Sequence, residues 1–456
     1  MTDPAARPGQ RANPGPIGPS DLSALLRPLV PRVLSALARR HSDFAACEDA
    51  VQEAMLAATT HWPQTSLPEE PAAWLITVAH RRYLDGVRAA TAQLRREVQH
   101  RRDRSISGAG VADPPTLPAP AAEQSLGDDH DVAALLVLCC DPALPRPAQV
   151  ALTLRAVCGL TTDQIAALHL VPSATVGQRI SRAKTVLRTH HVHFDGVPTE
   201  LLPQRLDAVL DVLYLLFTEG HTSSAGSDLH DVSLTREAIR VTRMLAAAVP
   251  EHDEATGLLA LMLLTDARAG VRVDQAGDLV PLSEQDRARW NRPMIREGTD
   301  LVERLLPRGE VGRFQLLAAI AAVHADAPSA DRTDWLQIVV LYRMLDRVAP
   351  GPMTTLALAV AVGEAHGAQA GLAVVAGLVE PPTARLRHRL HAVRAHLREA
   401  AGDHDGAIAD YRRAASLTAS APEQRHLNAQ AVRVEQQAGA AGAAHVPDPE
   451  QTLNGP

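Results

Sequence analysis

Apolar residues recur at helical spacing along most of this chain of 456 residues, and no segment alternates apolar and polar residues as a convincing strand does. Aromatic residues make up only 3% of the composition, and alanine, leucine and valine supply most of the apolar share. Such residues favour helix over sheet. The sequence therefore predicts an all-α protein, and its length predicts two to four folded units with separate cores.

Charge is distributed unevenly along the chain. Residues 80–104 hold eight arginines against three acids, and residues 141–190 hold six basic residues against two acids. The residues after 190 sum to -9. These two basic islands predict that only the front part contacts a polyanion. Lys184 is the single lysine among 45 basic residues, which we interpret as a bias toward GC-rich codons.

The cysteines and the N-terminus indicate a cytoplasmic protein. The four cysteines form no C-x-x-C pair, and a disulfide framework is not expected in a chain of this size. The first 20 residues are rich in proline and glycine and lack an apolar core like that of a signal peptide. No stretch of about 18 apolar residues follows. We expect neither secretion nor contact with a membrane.

Breaks rich in proline and glycine predict where the chain divides into segments. A disordered leader is expected at residues 1–20 and a disordered tail at 438–456. Three helices are expected at about 22–40, 45–59 and 72–90. A flexible tether at 105–130, a second helical unit at 131–193 and a long helical extension at 198–437 should follow.

Residues 159–188 have the pattern of a helix-turn-helix. Thr162 is expected to cap the first helix and Ser173 the second, with the turn HLVP between them. On the second helix, one face is expected to pack in the core: Val176, Ile180, Ala183 and Leu187. The other face predicts contacts to base edges through Ala174, Thr175, Gln178, Ser181, Arg182 and Thr185. Three basic residues flank this face, where phosphates would lie: Arg179, Lys184 and Arg188. The alternative to DNA binding is that this polar face is simply solvated, on an ordinary helical hairpin.

Two blocks of sequence resemble sigma factors of the extracytoplasmic-function type. The run from Pro142 to Arg188 resembles their region four, and CEDAVQEAMLAATTHWP followed by PAAWLITVAHRRYLDGVR resembles their region two. The resemblance implies a region-two helical bundle at 21–104, the flexible tether, and a region-four helix-turn-helix at 131–193. We name 21–104 the region-two segment and 131–193 the region-four segment.

The resemblance also implies roles for particular residues. Asp49, Gln52 and Glu53 would dock on the clamp helices of the largest subunit of RNA polymerase, and the flap of the second subunit is a further expected partner. The downstream promoter element would be held as a single strand by His80, Arg81, Arg82, Tyr83 and Arg88, beside a base-capturing loop at 64–70. Trp74 is expected in the core. The upstream element would be read by Ser173, Ala174, Thr175, Gln178, Arg179, Ser181, Arg182 and Thr185, with Lys184 and Arg188 on phosphates.

The extension resembles that of the sigma subfamily whose members carry a large C-terminal domain with a tetratricopeptide-like end. Segments such as LDAVLDVLYLLFTEGHTSSAG and LSEQDRARWNRPMI carry this resemblance, although TEGH at 218–221 departs from the usual string. Near 390–430, Ala395, Gly402, Ala407, Tyr411 and Ala414 have tetratricopeptide spacing. The resemblance implies a regulatory extension, whose own regulator would be a partner of unknown identity.

Catalysis finds no support in the sequence. GAGVAD at 108–113 lacks the third glycine of a dinucleotide fingerprint, and the histidines of HHVHF at 190–194 lack acidic or thiol companions. We interpret EHDE at 251–254 and EQDR at 284–287 as charged, exposed helix ends. No enzyme activity, metal or cofactor is expected. The leading hypothesis is an alternative sigma factor. The second hypothesis is a helix-turn-helix regulator with a helical sensor domain. A third, a tetratricopeptide scaffold, would leave both basic islands unexplained.

Overall fold

The computed structural model describes residues 22, 25–102, 129–169, 171–189, 202–221, 225–226, 232–275, 277–309, 311–378 and 384–444. These residues form 18 α-helices and one pair of two-residue strands. The chain divides into two compact units, Met1–Val209 and Leu210–Pro456. The expected leader, residues 103–128 of the tether region, and the motifs GAGVAD and HHVHF lie outside the described residues.

The region-two segment contains three helices: α1 (Val30–Ala38), α2 (Phe44–His61) and α3 (Pro71–Arg102). The single first helix expected at 22–40 is wrong in part, because a 3-10 turn at Arg27–Leu29 precedes α1. Pro28 and Pro31 stand in the first turns of these two elements, where a missing backbone N–H is tolerated. Helix α3 runs 12 residues beyond the expected end at residue 90, so the first basic island is helical as far as Arg102.

Four helices form the region-four segment: α4 (Asp129–Cys139), α5 (Arg146–Ala156), α6 (Thr162–His169) and α7 (Ser173–Thr189). The expected caps need correction. Thr161 caps α6, since its Oγ1 accepts from the Gln164 backbone N–H at 3.2 Å while Gln164 Oε1 accepts from Thr161 N–H at 2.9 Å. The Ser173 hydroxyl caps no helix of its own and donates to Asp163 Oδ1 at 2.5 Å.

Helix α8 (Leu202–His221) runs from the first unit into the second. The helices that follow it in the second unit are α9 (Val232–Ala248), α10 (Asp253–Asp266), α11 (Arg292–Leu305), α12 (Arg313–Asp326), α13 (Trp335–Val348), α14 (Pro352–His366), α15 (Ala368–Ala376), α16 (Ala384–Ala400), α17 (His404–Leu417) and α18 (Ala421–Ala444). Helix α18 passes residue 437, so the start expected for the disordered tail is wrong, and residues 445–456 lie outside the described part.

Helices α16, α17 and α18 form the tetratricopeptide-like end. Its core combines small and larger side chains: Ala395, Ala407, Tyr411, Ala414, Ala415, Leu427, Ala431 and Val434. Gly402 turns the chain between α16 and α17 with φ of +81°, a conformation that favours glycine. Strand β2 (Ala419–Ser420) pairs in parallel with β1 (Ala225–Gly226), which ties this end to the start of the same unit. The expectation of close packing at small residues is confirmed.

Two charged motifs of the extension fit the interpretation as exposed helix ends only in part: Glu251, Glu284 and Asp286 are exposed, but Glu254 and Arg287 have structural partners. The Glu254 carboxylate accepts from the backbone N–H groups of Phe314 at 2.9 Å and Gln315 at 3.0 Å, where α12 begins. Arg287 is 6% exposed. Its guanidinium donates to the carbonyl oxygens of His324 and Ala327. Sequence spacing could not reveal these partners, since they lie 37 or more residues away along the chain.

Among the described residues, no helix is both long and apolar enough to cross a membrane.

Arg287→Ala should destabilise the extension by about 2–4 kcal/mol, because it leaves buried carbonyl acceptors without a donor. The Arg287 guanidinium reaches the oxygen of His324 at 2.7 Å, that of Ala327 at 2.8 Å and the Thr333 hydroxyl at 3.2 Å. Thermal unfolding followed by circular dichroism should show a clearly lower Tm. The exposed Arg289, changed to Ala, is the matched control, and equal Tm values for the two variants would contradict this assignment.

Candidate nucleic-acid and polymerase interfaces

Helix α7 separates a buried face from an exposed one as the sequence predicts. Val176, Ile180, Ala183 and Leu187 are its buried residues. Most of the predicted base-reading stripe is exposed: Ser173, Ala174, Gln178, Ser181, Arg182 and Thr185. Thr175 and Arg179 are half-buried. Because Ser173 already donates to Asp163, its hydroxyl hydrogen is engaged within the protein. Gln178 and Arg182 are the long polar side chains among the exposed residues of this stripe.

The predicted phosphate contacts are engaged with carboxylates in this structure. Lys184 is only 11% exposed, and its Nζ forms ion pairs with Glu48 and with Asp49 Oδ1, the latter at 2.6 Å. Arg188 is 59% exposed, and its Nε lies 3.5 Å from Asp43 Oδ2. The sequence did not indicate these partners. Both cations belong to helix α7, and all three carboxylates lie at or next to the start of α2.

Helix α2 carries the residues predicted to dock on polymerase. The side chains of Asp49 and Glu53 are 70% and 60% exposed, whereas Gln52 is half-buried. Glu53 Oε2 lies 3.7 Å from Arg82 Nε of α3. Glu48, which the sequence reading did not single out, is 1% exposed and pairs with Arg155 and Lys184. A buried charged residue inside a helix has no local signature that distinguishes it from an exposed one.

The residues of α3 that are predicted to hold DNA comprise exposed arginines and packed rings. Arg81, Arg82 and Arg88 are exposed, in agreement with a surface that a nucleic acid could reach. His41, which the sequence reading missed, stacks on Tyr83 with ring centroids 3.9 Å apart. It also stacks on His80 at 5.3 Å. Tyr83 therefore has one face covered by a histidine, and only the rest of its ring is available to an unstacked base.

Burial sets the protonation of this ring stack. It lowers the pKa of His41 to about 4, with smaller contributions from the nearby His80 and Arg40. Burial also lowers the pKa of His80. Both imidazoles are therefore neutral near pH 7, and the stack contributes flat aromatic surface while the positive charge of α3 comes from its arginines.

The loop expected to capture a base lies between α2 and α3. Residues 64–70 are exposed except for Pro68, which is half-buried. Trp74 is half-buried and meets Trp62 edge to face, with ring centroids 5.3 Å apart. Trp62 is only 3% exposed, so this pair anchors the loop to the bundle. Trp74, expected in the core, is thus only half-buried, although it packs against a buried ring.

A polar cavity of about 420 Å³ lies in the extension beside α16 and α18. Two carboxylates on its wall are paired with cations. Glu423 accepts from Arg389 at 2.8 Å. Burial raises the pKa of this carboxyl, but the hydrogen bond from His388, the charge of Arg389 and the hydrogen bond from Thr418 together hold it at about 2. Glu399 accepts from Arg433 at 2.6 Å. Within the described residues, no group of three or more histidine, cysteine or acidic side chains could hold a metal ion.

The exposed polar stripe of α7 and the exposed arginines of α3 are surfaces of the kind found in proteins that assemble on nucleic acid. Comparison with known families agrees. Residues 25–93 match the family described as Sigma-70 region 2, residues 135–187 match Sigma-70, region 4, and residues 205–306 match a family of unknown function, DUF6596. No solved structure matches the chain.

A relative extends this similarity over most of the chain. An uncharacterized protein of Rhizobium meliloti (strain 1021) is 36% identical over 402 residues, which cover 88% of this chain and 92% of the relative. The chain belongs to the family of extracytoplasmic-function-type sigma factors that carry a large helical C-terminal extension.

The region-two bundle should lose stability as the pH falls from 6.5 toward 4. The unfolded chain takes up a proton at His41 near pH 6.5, whereas the folded state resists protonation down to about pH 4. With allowance for partial exposure, the loss is about 1–2 kcal/mol. Denaturant unfolding at several pH values would measure it.

His41→Asn should show a smaller loss of stability across this interval. The exposed Gln64, changed to Asn, is the control and should keep the wild-type pH dependence, because it carries no titrating group. If His41→Asn and the wild type lost equal stability between pH 6.5 and 4, the neutral ring stack would not be the cause.

Proposed function

We propose that the chain is a dissociable specificity subunit, which binds core RNA polymerase and directs it to bipartite promoters. The observation that carries the proposal is the exposed polar stripe of α7, on a helix-turn-helix of a chain that belongs to the sigma family. An ordinary regulator with a helix-turn-helix and a sensor domain is the alternative. It would need neither the acidic helix α2 nor the exposed arginines of α3.

Upstream recognition rests on α7. Gln178 and Arg182 point outward from its core face, and amide and guanidinium groups can pair with adenine and guanine edges in a major groove. Ser181 and Thr185 border them on the exposed side, and Ser173, Ala174, Thr175 and Arg179 complete the proposed surface. Lys184 and Arg188 would contact phosphates once they leave their carboxylates.

Downstream recognition rests on α3 and the loop before it. Arg81, Arg82 and Arg88 supply exposed positive charge for a single-stranded backbone. The half-buried rings of His80 and Tyr83 contribute the edge of a stacking surface. The proposed contact with bases is therefore a partial stacking on this edge together with capture in the loop at 64–70.

Polymerase docking is assigned to Asp49, Gln52 and Glu53, which would meet the clamp helices of the largest subunit. The region-four segment would contact the flap of the second subunit. The acidic side chains of α2 suit a basic partner surface, and charge complementarity of this kind speeds association.

We assign a regulatory role to the extension. Its first helix begins in the first unit, where Arg205 pairs with Asp141 at 3.1 Å and the Ala208 carbonyl accepts from Arg146 at 3.2 Å. The start of the extension is thus held by the region-four segment, and a chain ended near residue 193 would lose these contacts. The extension would either inhibit or assist transcription. Transcription with a chain that ends at Val209 distinguishes these two roles: higher activity indicates inhibition by the extension, and lower activity indicates assistance.

The full chain should program core polymerase to start transcription from genomic promoter fragments in a run-off assay. Gln52→Ala with Glu53→Ala should weaken binding to core enzyme while leaving binding of upstream duplex unchanged, since these residues lie on α2. Glu251→Ala is a control, because it removes an exposed acid of the extension, outside the proposed contacts. Binding of promoter duplex without open-complex formation would favour the regulator instead.

Gln178→Ala or Arg182→Ala should cost about 1–3 kcal/mol in binding of the upstream element and should relax the preference at particular base pairs. A binding-site selection with the variant and wild-type chains measures that preference. The control is Thr189→Ala, which changes an exposed residue at the end of α7. Gln164→Ala would not serve, because Gln164 belongs to the cap of α6. An unchanged preference in Gln178→Ala would place this residue on a solvated face.

A further inference from the structure

The polar cavity of the extension has preformed walls. Helices α16 and α18 supply two of them, residues 279–284 supply a third, and Tyr411 of α17 also lines it. Arg425 of α18 holds the third wall in place, because its Nε donates to Asp278 Oδ1 at 2.6 Å and its Nη2 donates to the Gly277 carbonyl oxygen at 3.2 Å. The volume of about 420 Å³ lies in the range of small-molecule sites. A ligand would therefore enter a cavity whose walls are already ordered, which lowers the cost of binding.

Most of the charges on these walls are paired with each other. Arg389 of α16 donates to Glu423 of α18 at 2.8 Å, and Arg433 of α18 donates to Glu399 of α16 at 2.6 Å. The Tyr411 hydroxyl also donates to Glu399, at 2.9 Å. These two crossed ion pairs fix α16 against α18, and they leave neither arginine without a carboxylate.

A third carboxylate at the cavity has no such partner. Glu284 is exposed, and no described residue forms a hydrogen bond or an ion pair with its side chain. His426 lies near it, but burial lowers the pKa of this imidazole, so the ring is neutral near pH 7 and does not neutralise the acid. One negative charge is therefore left unpaired at the edge of the cavity.

Apolar side chains line the cavity beside this charge. Ala392 lies between Arg389 and Glu399 along α16, and Leu427 lies between the charged residues of α18. Leu279 and Pro281 add apolar surface from the segment that carries Glu284. Apolar surface next to one unpaired carboxylate suits a ligand with an apolar body and a single positive charge.

We propose that this cavity binds a small organic monocation, a protonated amine on an apolar body, with the ammonium at Glu284 and the body against Leu279, Ala392 and Leu427. A carboxylate in the same place would be repelled by Glu284, and a neutral ligand would gain no ion pair. Such a ligand would be an effector of the extension, and this part of the inference rests on the regulatory role proposed above.

Three ligands of equal length test the charge preference in the full chain: n-hexylamine, hexan-1-ol and hexanoate. Ligand-observed NMR titrations at low ionic strength give a Kd for each. The amine should bind about two- to fivefold more tightly than the alcohol, as expected for an ion pair with an exposed carboxylate. Hexanoate should bind most weakly.

Substitutions at Glu284 should change this order without disturbing the fold, because the side chain is exposed. Glu284→Gln should remove the preference for the amine over the alcohol, and Glu284→Lys should make hexanoate the tighter ligand of the two charged ones. Glu303→Gln removes the same charge from an exposed residue of α11 outside the cavity, so it controls for general attraction of cations to a chain with net charge -7. Ala392→Leu should weaken all three ligands by filling the space for their apolar body.

The outcomes separate the site from the function proposed for the chain. Equal Kd values for the amine and the alcohol, an order unchanged by Glu284→Lys, or no binding up to about 10 mM overturns the site. Neither polymerase nor DNA is present in these titrations, so a failure of the sigma activity does not affect them. If Ala392→Leu loses helical content, the Glu284 variants carry the decision.

Run-off transcription with and without hexylamine tests the effector role. A change in transcript yield that Glu284→Lys abolishes supports this role. Binding of hexylamine without any change in yield leaves the site in place and overturns the effector role. If the chain supports no transcription at all, the proposed function fails, while the Kd values still decide the site.

Discussion

The arrangement of the first unit depends on one buried carboxylate. Glu48 lies in the middle of a helical interface at 1% exposure, where an unpaired charge would cost several kcal/mol. Arg155 and Lys184 approach it from two different helices of the region-four segment, so three helices are fixed relative to one another by a single side chain. Apolar packing then fills the remaining surface, as the contact of Gly159 with Val30 shows.

The sequence predicts features that depend on residues close together along the chain. The buried face of α7 was predicted residue by residue, because helical periodicity is a local property of the chain. The cap of α6 was predicted one residue late. Two adjacent threonines both suit the position, and only the reciprocal bond with Gln164 selects Thr161. The small residues of the tetratricopeptide-like end were also identified, since their spacing reflects the contact of neighbouring helices.

The long-range partners could not be predicted in this way. Lys184 was assigned to phosphate because it flanks the exposed stripe, and nothing near it in sequence indicates an acid 135 residues away. Arg287 was interpreted as an exposed helix end for the same reason, although it donates to carbonyl oxygens deep in the extension. His41 lies in a short connection between α1 and α2, and its stacking on Tyr83 arises only when α3 packs against that connection. The roles of these charged and aromatic side chains depend on partners that only tertiary packing brings near them.

The ammonium of Lys184 suits its position between two carboxylates. A guanidinium is a planar fork that pairs best with one carboxylate at a time, whereas an ammonium is a compact charge whose three donors rotate freely. Glu48 and Asp49 are consecutive on α2, so their side chains leave the helix about 100° apart. One point charge between them serves both.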